Sequence, residues 1–355
     1  MGDKLSISEA ARFLKISRPT FNIRRLKYKF KEIIEGSKIC IKKSELLNIY
    51  ANEHYNNQNV NLILTENDSI EKILIDHNTF DLRLINLIDG YGIITLMTTA
   101  VSILESGKSL YVVLLDLPSI RILKSAGFFS ELKRRFNNRV FYNENLSTIQ
   151  DTEKPFLALH YLAYKGQERK ILEDLVPLLI KQNFSEDVIG YLGWITGELA
   201  DNSLTHAQGP CYILIGQFDG PNNYLELAIG DTGKGIQKSL KENLKYKSLT
   251  DQEAFLKAFQ SKVSCWPDEN ERGKGLCDLL IVAMGNGALL RVDSKKLGLM
   301  FNFTNGQKEV IKKNPSSNFG GSRFSLLLIN GNFVNITRGE VDKFIERERE
   351  RLCKL

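Results

Sequence analysis

Residues 227–236 read LAIGDTGKGI, an apolar run that passes directly into an aspartate and then into Gly-x-Gly. Leu227-Ala228-Ile229 has the aliphatic character of a buried strand, which places Asp231 at a strand end. A carboxylate held there accepts a hydrogen bond from an amino group such as that of adenine, and so selects among bases. Gly233 and Gly235 bring backbone close to a ligand without a Cβ in the way, and Ile236 opens the next segment. Taken alone, Asp-Thr-Gly-Lys-Gly reads equally well as a surface turn.

Upstream, residues 198–207 read ELADNSLTHA, within a helix that the pattern starts near Ser185. Tyr191, Ile195, Glu198 and Asn202 fall at i, i+4, i+7 and i+11 and share one helix face. A core face would be apolar throughout, yet two of the four are polar. Glu198 and Asn202 stand one turn apart, roughly 6 Å along the axis. That spacing suits an amide oxygen in a Mg2+ shell with a carboxylate reaching a neighbouring water; a solvated helix edge is the other reading. Downstream, RGKGL at 272–276 precedes the apolar run 279–283. Glycines before a helix expose N–H groups and the positive dipole end to phosphates, and Arg272 and Lys274 add charge for the same anion.

The order and spacing of Glu198-x3-Asn202, Asp231-x-Gly233-x-Gly235 and Gly273-x-Gly275 resemble the N, G1 and G2 boxes of GHKL (Bergerat-fold) ATPases. The closing run 320–326, GGSRFSL, is similar to the Gly-Thr-x-Phe-x-Leu strand that ends that fold. The resemblance covers residues 185–330 and implies an α/β sandwich, a mixed sheet with helices on one face, that binds ATP with Mg2+. By that resemblance Asn202 holds the metal and Asp231 reads adenine. Gly233, Gly235, Ile236, Arg272, Gly273, Lys274, Gly275 and Leu276 complete the pocket, and residues 237–271, Lys262 among them, form an ATP lid. Glu198 takes the place of the base that activates water in gyrase- and MutL-like ATPases, or a serine hydroxyl in anti-sigma serine kinases. Sensor histidine kinases generally lack that glutamate, and no His-Glu-x-x-Arg-Pro box is present, so that reading fails. His206-Ala207 resembles the anti-sigma kinase box and Asp201-Asn202-Ser203 that of gyrase and MutL; the choice stays open.

The first 51 residues hold twelve Lys/Arg against five Asp/Glu, whereas the rest of the chain is nearly balanced. Such localised charge points to a polyanion partner, a basic solvated surface being the other reading. Ser6 and Glu9 make a capping box for a helix over residues 7–14. Ser17 and Pro19 start a second helix presenting Arg18, Thr20, Asn22, Arg24 and Arg25, a composition suited to guanine edges and phosphates. Residues 38–41 read as a short wing strand, followed by a helix from Ser44. The segment resembles excisionase/MerR-type winged helix-turn-helix modules, which implies duplex DNA binding through residues 1–52; a winged domain used for protein contacts is the alternative.

Residues 52–59, NEHYNNQN, read as a linker. Beyond them, strand candidates at 60–64, 79–84 and 110–115 alternate with helix candidates at 93–105 and 119–126, giving an α/β domain over 60–150. Asp89-Gly90-Tyr91-Gly92 and the run 119–128, SIRILKSAGF, resemble a STAS domain, with Gly90 where that family carries a phosphorylatable serine. The usual phosphorylation switch therefore lacks its hydroxyl, and the module is expected to dock a protein or a domain; a generic α/β spacer is the alternative. His77 and His160 read as structural. Residues 151–184 read as connecting helices, and residues 331–355 as a solvated C-terminal helix with sparse apolar positions Val341, Phe344, Ile345 and Leu352, where a homodimer contact is conceivable.

No apolar stretch approaches the roughly 20 residues of a membrane span, and the first residues have no apolar signal region. Five scattered cysteines without a CxxC pair point to reduced thiols and a cytoplasmic protein. The sequence thus predicts a multidomain α/β regulator that hydrolyses ATP with Mg2+ and couples nucleotide state to DNA or partner binding. A serine protein kinase and a DNA-binding regulator with ATP as ligand only are the alternatives.

Overall fold

The computed structural model describes residues 4–13, 32–35, 38–42, 60–64, 70–151, 157–207, 209–216, 224–266, 275–313, 320–331 and 333–353, with positions 18, 21, 45, 46 and 66. Among them the chain is a mixed α/β protein with several sheets. No helix among the described residues is long and apolar enough to cross a membrane.

At the start, β1 (Lys4–Ser6) leads into α1 (Ile7–Phe13), and β2 (Glu32–Glu35) and β3 (Lys38–Lys42) complete an antiparallel sheet in the order β1-β3-β2. The Ser6–Glu9 box is formed: Glu9 accepts from the Ser6 backbone at 2.9 Å, and Ser6 Oγ accepts from the Glu9 backbone at 3.4 Å. Ile7, Ala10, Ala11, Phe21, Ile41 and Leu46 make a small core of their own. Arg18 is exposed. Thr20, Asn22, Arg24 and Arg25 lie outside the described residues, as does most of the expected helix from Ser44.

The middle segment contains β4 (Val60–Leu62), β5 (Leu74–Asp76), β6 (Thr79–Asp81), β7 (Ile85–Ile88), α2 (Gly90–Glu105), β8 (Leu110–Val113), α3 (Pro118–Ser125), α4 (Phe128–Phe136) and β9 (Val140–Tyr142). Its four-stranded sheet, β5-β6-β8-β9, is mixed, with β5 antiparallel to β6 and the other pairs parallel; β4 and β7 pair separately and in parallel. The strand expected over 79–84 stops early because the Asp81 carboxylate accepts from the Arg83 backbone and turns residues 82–84 into a 3-10 helix.

The remainder holds β10 (Leu157–Leu162), α5 (Gln167–Lys181), α6 (Glu186–Asn202), β11 (Cys211–Gly216), β12 (Tyr224–Asp231), α7 (Ile236–Leu240), α8 (Asp251–Lys257), α9 (Gly275–Asn286), β13 (Leu289–Ser294), β14 (Leu297–Asn302), β15 (Glu309–Lys313), β16 (Ser322–Ile329) and α10 (Arg338–Cys353). Seven strands form one sheet in the order β10-β11-β12-β16-β13-β14-β15, antiparallel at every pairing. Two expectations change here. The mixed sheet expected for this region is antiparallel, mixed pairing being confined to the middle segment. Residues 151–184 are not only connecting helices, because β10 is the outermost strand of the large sheet; it pairs with β11 and buries Leu159 and Leu162 in two different cores, which a local pattern does not reveal.

Period-two alternation gives the large sheet two different faces. Cys211, Ile213, Ile215, Leu225, Leu227, Ile229, Leu290, Val292, Phe324, Leu326 and Leu328 pack with residues of α5, α6, α9 and α10 in one apolar core. The C-terminal helix is therefore not merely solvated: Val341, Phe344, Ile345 and Leu352 are buried in that core. The opposite face carries Tyr212, Leu214 and Ala228, which pack with the middle segment. Beside them lie Glu226, Arg291, Asp293, Arg323 and Ser325, and the partner of this polar face is α2.

The N-terminus of α2 docks on Glu226. The Gly90 and Tyr91 N–H groups donate to its carboxylate at 2.9 and 2.8 Å, and Ser325 Oγ donates to it as well. Asp89 caps the same helix, accepting from the Gly92 and Leu64 backbones at 3.0 and 2.7 Å. Tyr91 donates its hydroxyl to Asp293 at 2.7 Å, and the Arg291 guanidinium lies 4.0 Å from the Tyr91 ring centre while donating to the Leu64 and Glu66 carbonyls. Arg323 reaches Thr98 and Thr99 at 2.9 and 3.0 Å. The buried Glu226 carboxyl, pushed up to about 8 by burial, thus takes the otherwise orphaned N–H groups of this helix end. The two guanidiniums are held by Asp293, carbonyls and hydroxyls.

Candidate functional site

A cavity of about 640 Å³ opens where α6, the end of β12, the 258–266 stretch and the start of α9 meet. Its lining brings together Glu198, Asn202, Asp231, Gly235, Ile236, Gly275 and Leu276, drawn from three separate stretches of sequence. The volume falls within the range of small-molecule sites. Ser185 starts the helix that carries the first pair, accepting from the Val188 backbone at 3.3 Å. Leu192, Ile195 and Leu199 bury one side of that helix and turn Glu198 and Asn202 toward the cavity rim.

Gly275 shows how closely the first and third motifs approach. A Cβ there would stand 2.8 Å from Glu198 Oε2 and 3.0 Å from Asn202 Nδ2, so any side chain at 275 displaces the pair. Glu198 is half-buried, and its carboxyl is raised above the ordinary range by loss of water, then by the charges of Asp278 and Asp201, with Lys165 opposing. The two oxygen-bearing side chains suit a hard cation that takes most of its ligands from phosphates and water and only one or two from protein.

Asp231 sits at the end of β12 and is 2% exposed. Its Oδ1 accepts from the Gly233 backbone at 2.8 Å and the Ser322 backbone at 3.2 Å. Burial nevertheless dominates and pushes its carboxyl up to about 7, against those two backbone hydrogen bonds. Gly233, expected in the pocket, therefore acts with Ser322 to orient Asp231 and does not itself line the cavity, while Gly235 and Ile236 do. Ile236 donates its N–H to Ser294 Oγ at 2.8 Å, which fixes the start of α7.

Several lining residues were not singled out in the sequence. Asp278 lies one turn into α9, 3% exposed, and accepts two bonds at 3.0 Å from the Arg338 guanidinium. Its place three residues after Gly275 was a usable helical-period signal. Lys165 pairs with Asp201, and Trp194 and Trp266, the only two tryptophans in the chain, both line the cavity and are each 40% exposed. Arg338 is remote in sequence and no motif pointed to it. Part of the expected lid, α7 and α8, is packed round Leu240, Tyr246, Ala254 and Ala258, and Lys262 does not line this cavity but a smaller groove of about 460 Å³ beside α10. Arg272, Gly273 and Lys274 lie outside the described residues.

Compared with known proteins, the chain matches no family model and no curated protein.

Proposed function

We propose that residues 185–330 form a GHKL-type Mg·ATP site, and that the protein is an ATP-hydrolysing regulator coupling nucleotide state to duplex DNA bound by a winged helix-turn-helix over residues 1–52. The observation that carries the reading is the convergence of Glu198, Asn202, Asp231 and Gly275 on one cavity. In this reading Asp231 accepts from the adenine amino group. Asn202 would hold Mg2+, which would supply charge neutralisation to the phosphates when bound. Glu198 takes a proton from a water that attacks the terminal phosphorus as the bond from that phosphorus to the bridging oxygen breaks. The upward shift of its carboxyl moves it toward the operating pH of a general base.

Gly90, in the position that resembles the STAS phosphoacceptor, is buried under Glu226, and a Cβ there would meet the Glu226 carboxyl at 2.8 Å. The STAS-like module is thus read as a fixed docking partner of the ATPase sheet, and phosphate transfer to position 90 is not part of the proposal. An external serine substrate remains the competing use of the same site.

Because both tryptophans line the cavity, nucleotide binding is read directly from their fluorescence. Mg·ATP at up to millimolar levels should shift the emission of the wild type, and Asp231→Ala should lower the affinity on the order of tenfold or more. Phosphate release should then fall by at least about a hundredfold in Glu198→Ala. An unchanged spectrum together with no calorimetric binding would overturn the site, and equal release by both proteins would overturn hydrolysis.

A further inference from the structure

Among the described residues lining the cavity, four carboxylates, Glu198, Asp201, Asp231 and Asp278, face only two cations, Lys165 and Arg338. Arg338 is the guanidinium among these described lining residues, and a triphosphate entering the cavity would compete with Asp278 for it. Lys165 is two-thirds exposed and its pair with Asp201 is screened by water. The Arg338 guanidinium is half-exposed on the cavity side, and its partner Asp278 is nearly sealed.

Arg338 also stands where a cation is locally unfavourable. Thr337 caps α10, donating its backbone N–H and hydroxyl to Glu340 at 2.8 and 2.7 Å and accepting from the Glu340 backbone at 3.3 Å. Arg338 is therefore the first residue of a 16-residue helix, at its positive dipole end. The dipole does not favour an arginine there; the two-pronged bond to Asp278 holds it at the cavity wall.

The rest of α10 is fastened to the elements round the cavity. Asp342 accepts from the Ser261 backbone at 2.7 Å, Glu346 from Gln260 Nε2 at 2.9 Å, and the Leu352 carbonyl from Gln252 Nε2 at 2.7 Å. The helix thus joins α9, the 252–261 stretch and, through Arg351 to the Val310 carbonyl, the sheet edge β15.

Resting on the nucleotide reading, we propose that Arg338 is a specificity residue of the site, transferring its two-pronged hydrogen bond from Asp278 to the terminal phosphate of ATP and thereby making α10 the element that distinguishes ATP from nucleotides lacking that phosphate. A guanidinium presents paired N–H groups to phosphate oxygens as it does to a carboxylate, so the exchange conserves geometry.

The test compares wild type, Arg338→Gln and Arg338→Lys in tryptophan titrations with Mg·ATP, Mg·ADP and adenosine. Arg338→Gln should weaken ATP on the order of ten- to a hundredfold while changing adenosine less than about threefold, so that the ATP-to-ADP preference collapses. Arg338→Lys keeps the charge and loses the fork, and should recover part of the preference; it carries the test if the Gln variant does not fold. Hydrogen exchange over residues 338–353 should slow with ATP more than with ADP in the wild type, and equally little with both in the variants. An unchanged ATP-to-ADP ratio in both variants, or a parallel loss of all three ligands, overturns the proposal while leaving the nucleotide site standing. A wild type that binds none of the three overturns the site itself.

Discussion

Asp231 joins stability and recognition in one side chain. Its carboxyl is held at about 7 in the folded chain against the ordinary 3.8, chiefly by burial. Between those two values the unfolded chain has released the proton and the folded chain retains it. The folded state therefore binds more protons at this site, and the stability this group contributes is fully present below about 4 and is lost as pH rises through about 7. Asp231→Asn should flatten that part of the melting-temperature profile, measured from pH 4 to 8. Ligand binding runs the other way, because the ionised carboxylate is the better acceptor for an amino group. Adenosine, which carries no titrating phosphate, should bind more tightly at pH 8 than at pH 6 by a few-fold up to about tenfold, and the slope should vanish in Asp231→Asn. A flat wild-type profile would show that this carboxyl does not touch the base. At this scale the sequence was informative: Glu198, Asn202, Asp231 and Gly275 were legible because each is a polar or glycine residue where an apolar pattern calls for something else. Asp278 and Arg338 were not, because an acid in a helix and an arginine in a charged tail are unremarkable until the fold sets them in contact.

The helix α2 shows what a local pattern misses at the scale of elements. Its apolar run starts at Ile93, so the sequence placed the first turn there. The true start, Gly90, depends on Glu226, which supplies the acceptors for two otherwise orphaned N–H groups from 136 and 135 residues away. Separation along the chain also hid β10, whose partner is β11, and β14 and β15 went unread because the register of each is set by the strand before it rather than by its own residues. The docking of α2 leaves no space at position 90, so Gly90→Ser should destabilise the chain by about 1–3 kcal/mol, as overpacking of a closed contact does. Denaturant unfolding measures this, with Gly90→Ala expected to cost a similar amount because the Cβ is what collides. A serine variant as stable as the parent would mean that Glu226 yields freely and that the middle segment is not locked to the sheet. That result would reopen position 90 as a switch.

Across the molecule, the aliphatic sheet face supports the cavity, the polar face holds the middle segment, and the basic N-terminal segment has its own small core. This last separation is why composition alone revealed so much: a twelve-to-five excess of Lys/Arg over Asp/Glu confined to 51 residues is readable without a fold. Which of these cations would touch phosphate is not readable, since charge density identifies the class of partner but not the register. Exposed Arg18 gives the segment a concrete test. If the segment lies along duplex DNA, log affinity should fall linearly with log salt, at a slope of about −0.9 for each phosphate neutralised. Arg18→Ala should make that slope shallower by roughly one such unit if the side chain meets a phosphate. If it instead reads a base edge, the slope should hold while discrimination at one base position drops by about 1–3 kcal/mol. Repeating the titration with Mg·ATP, Mg·ADP and no nucleotide separates a switch from a constitutive binder, because a ligand moves DNA affinity only as far as it binds the two states differently. Identical curves in all three would detach the cavity from the N-terminal segment. A nucleotide-dependent midpoint with an unchanged slope would place the coupling in the population of a binding-competent state and not in the number of phosphates contacted.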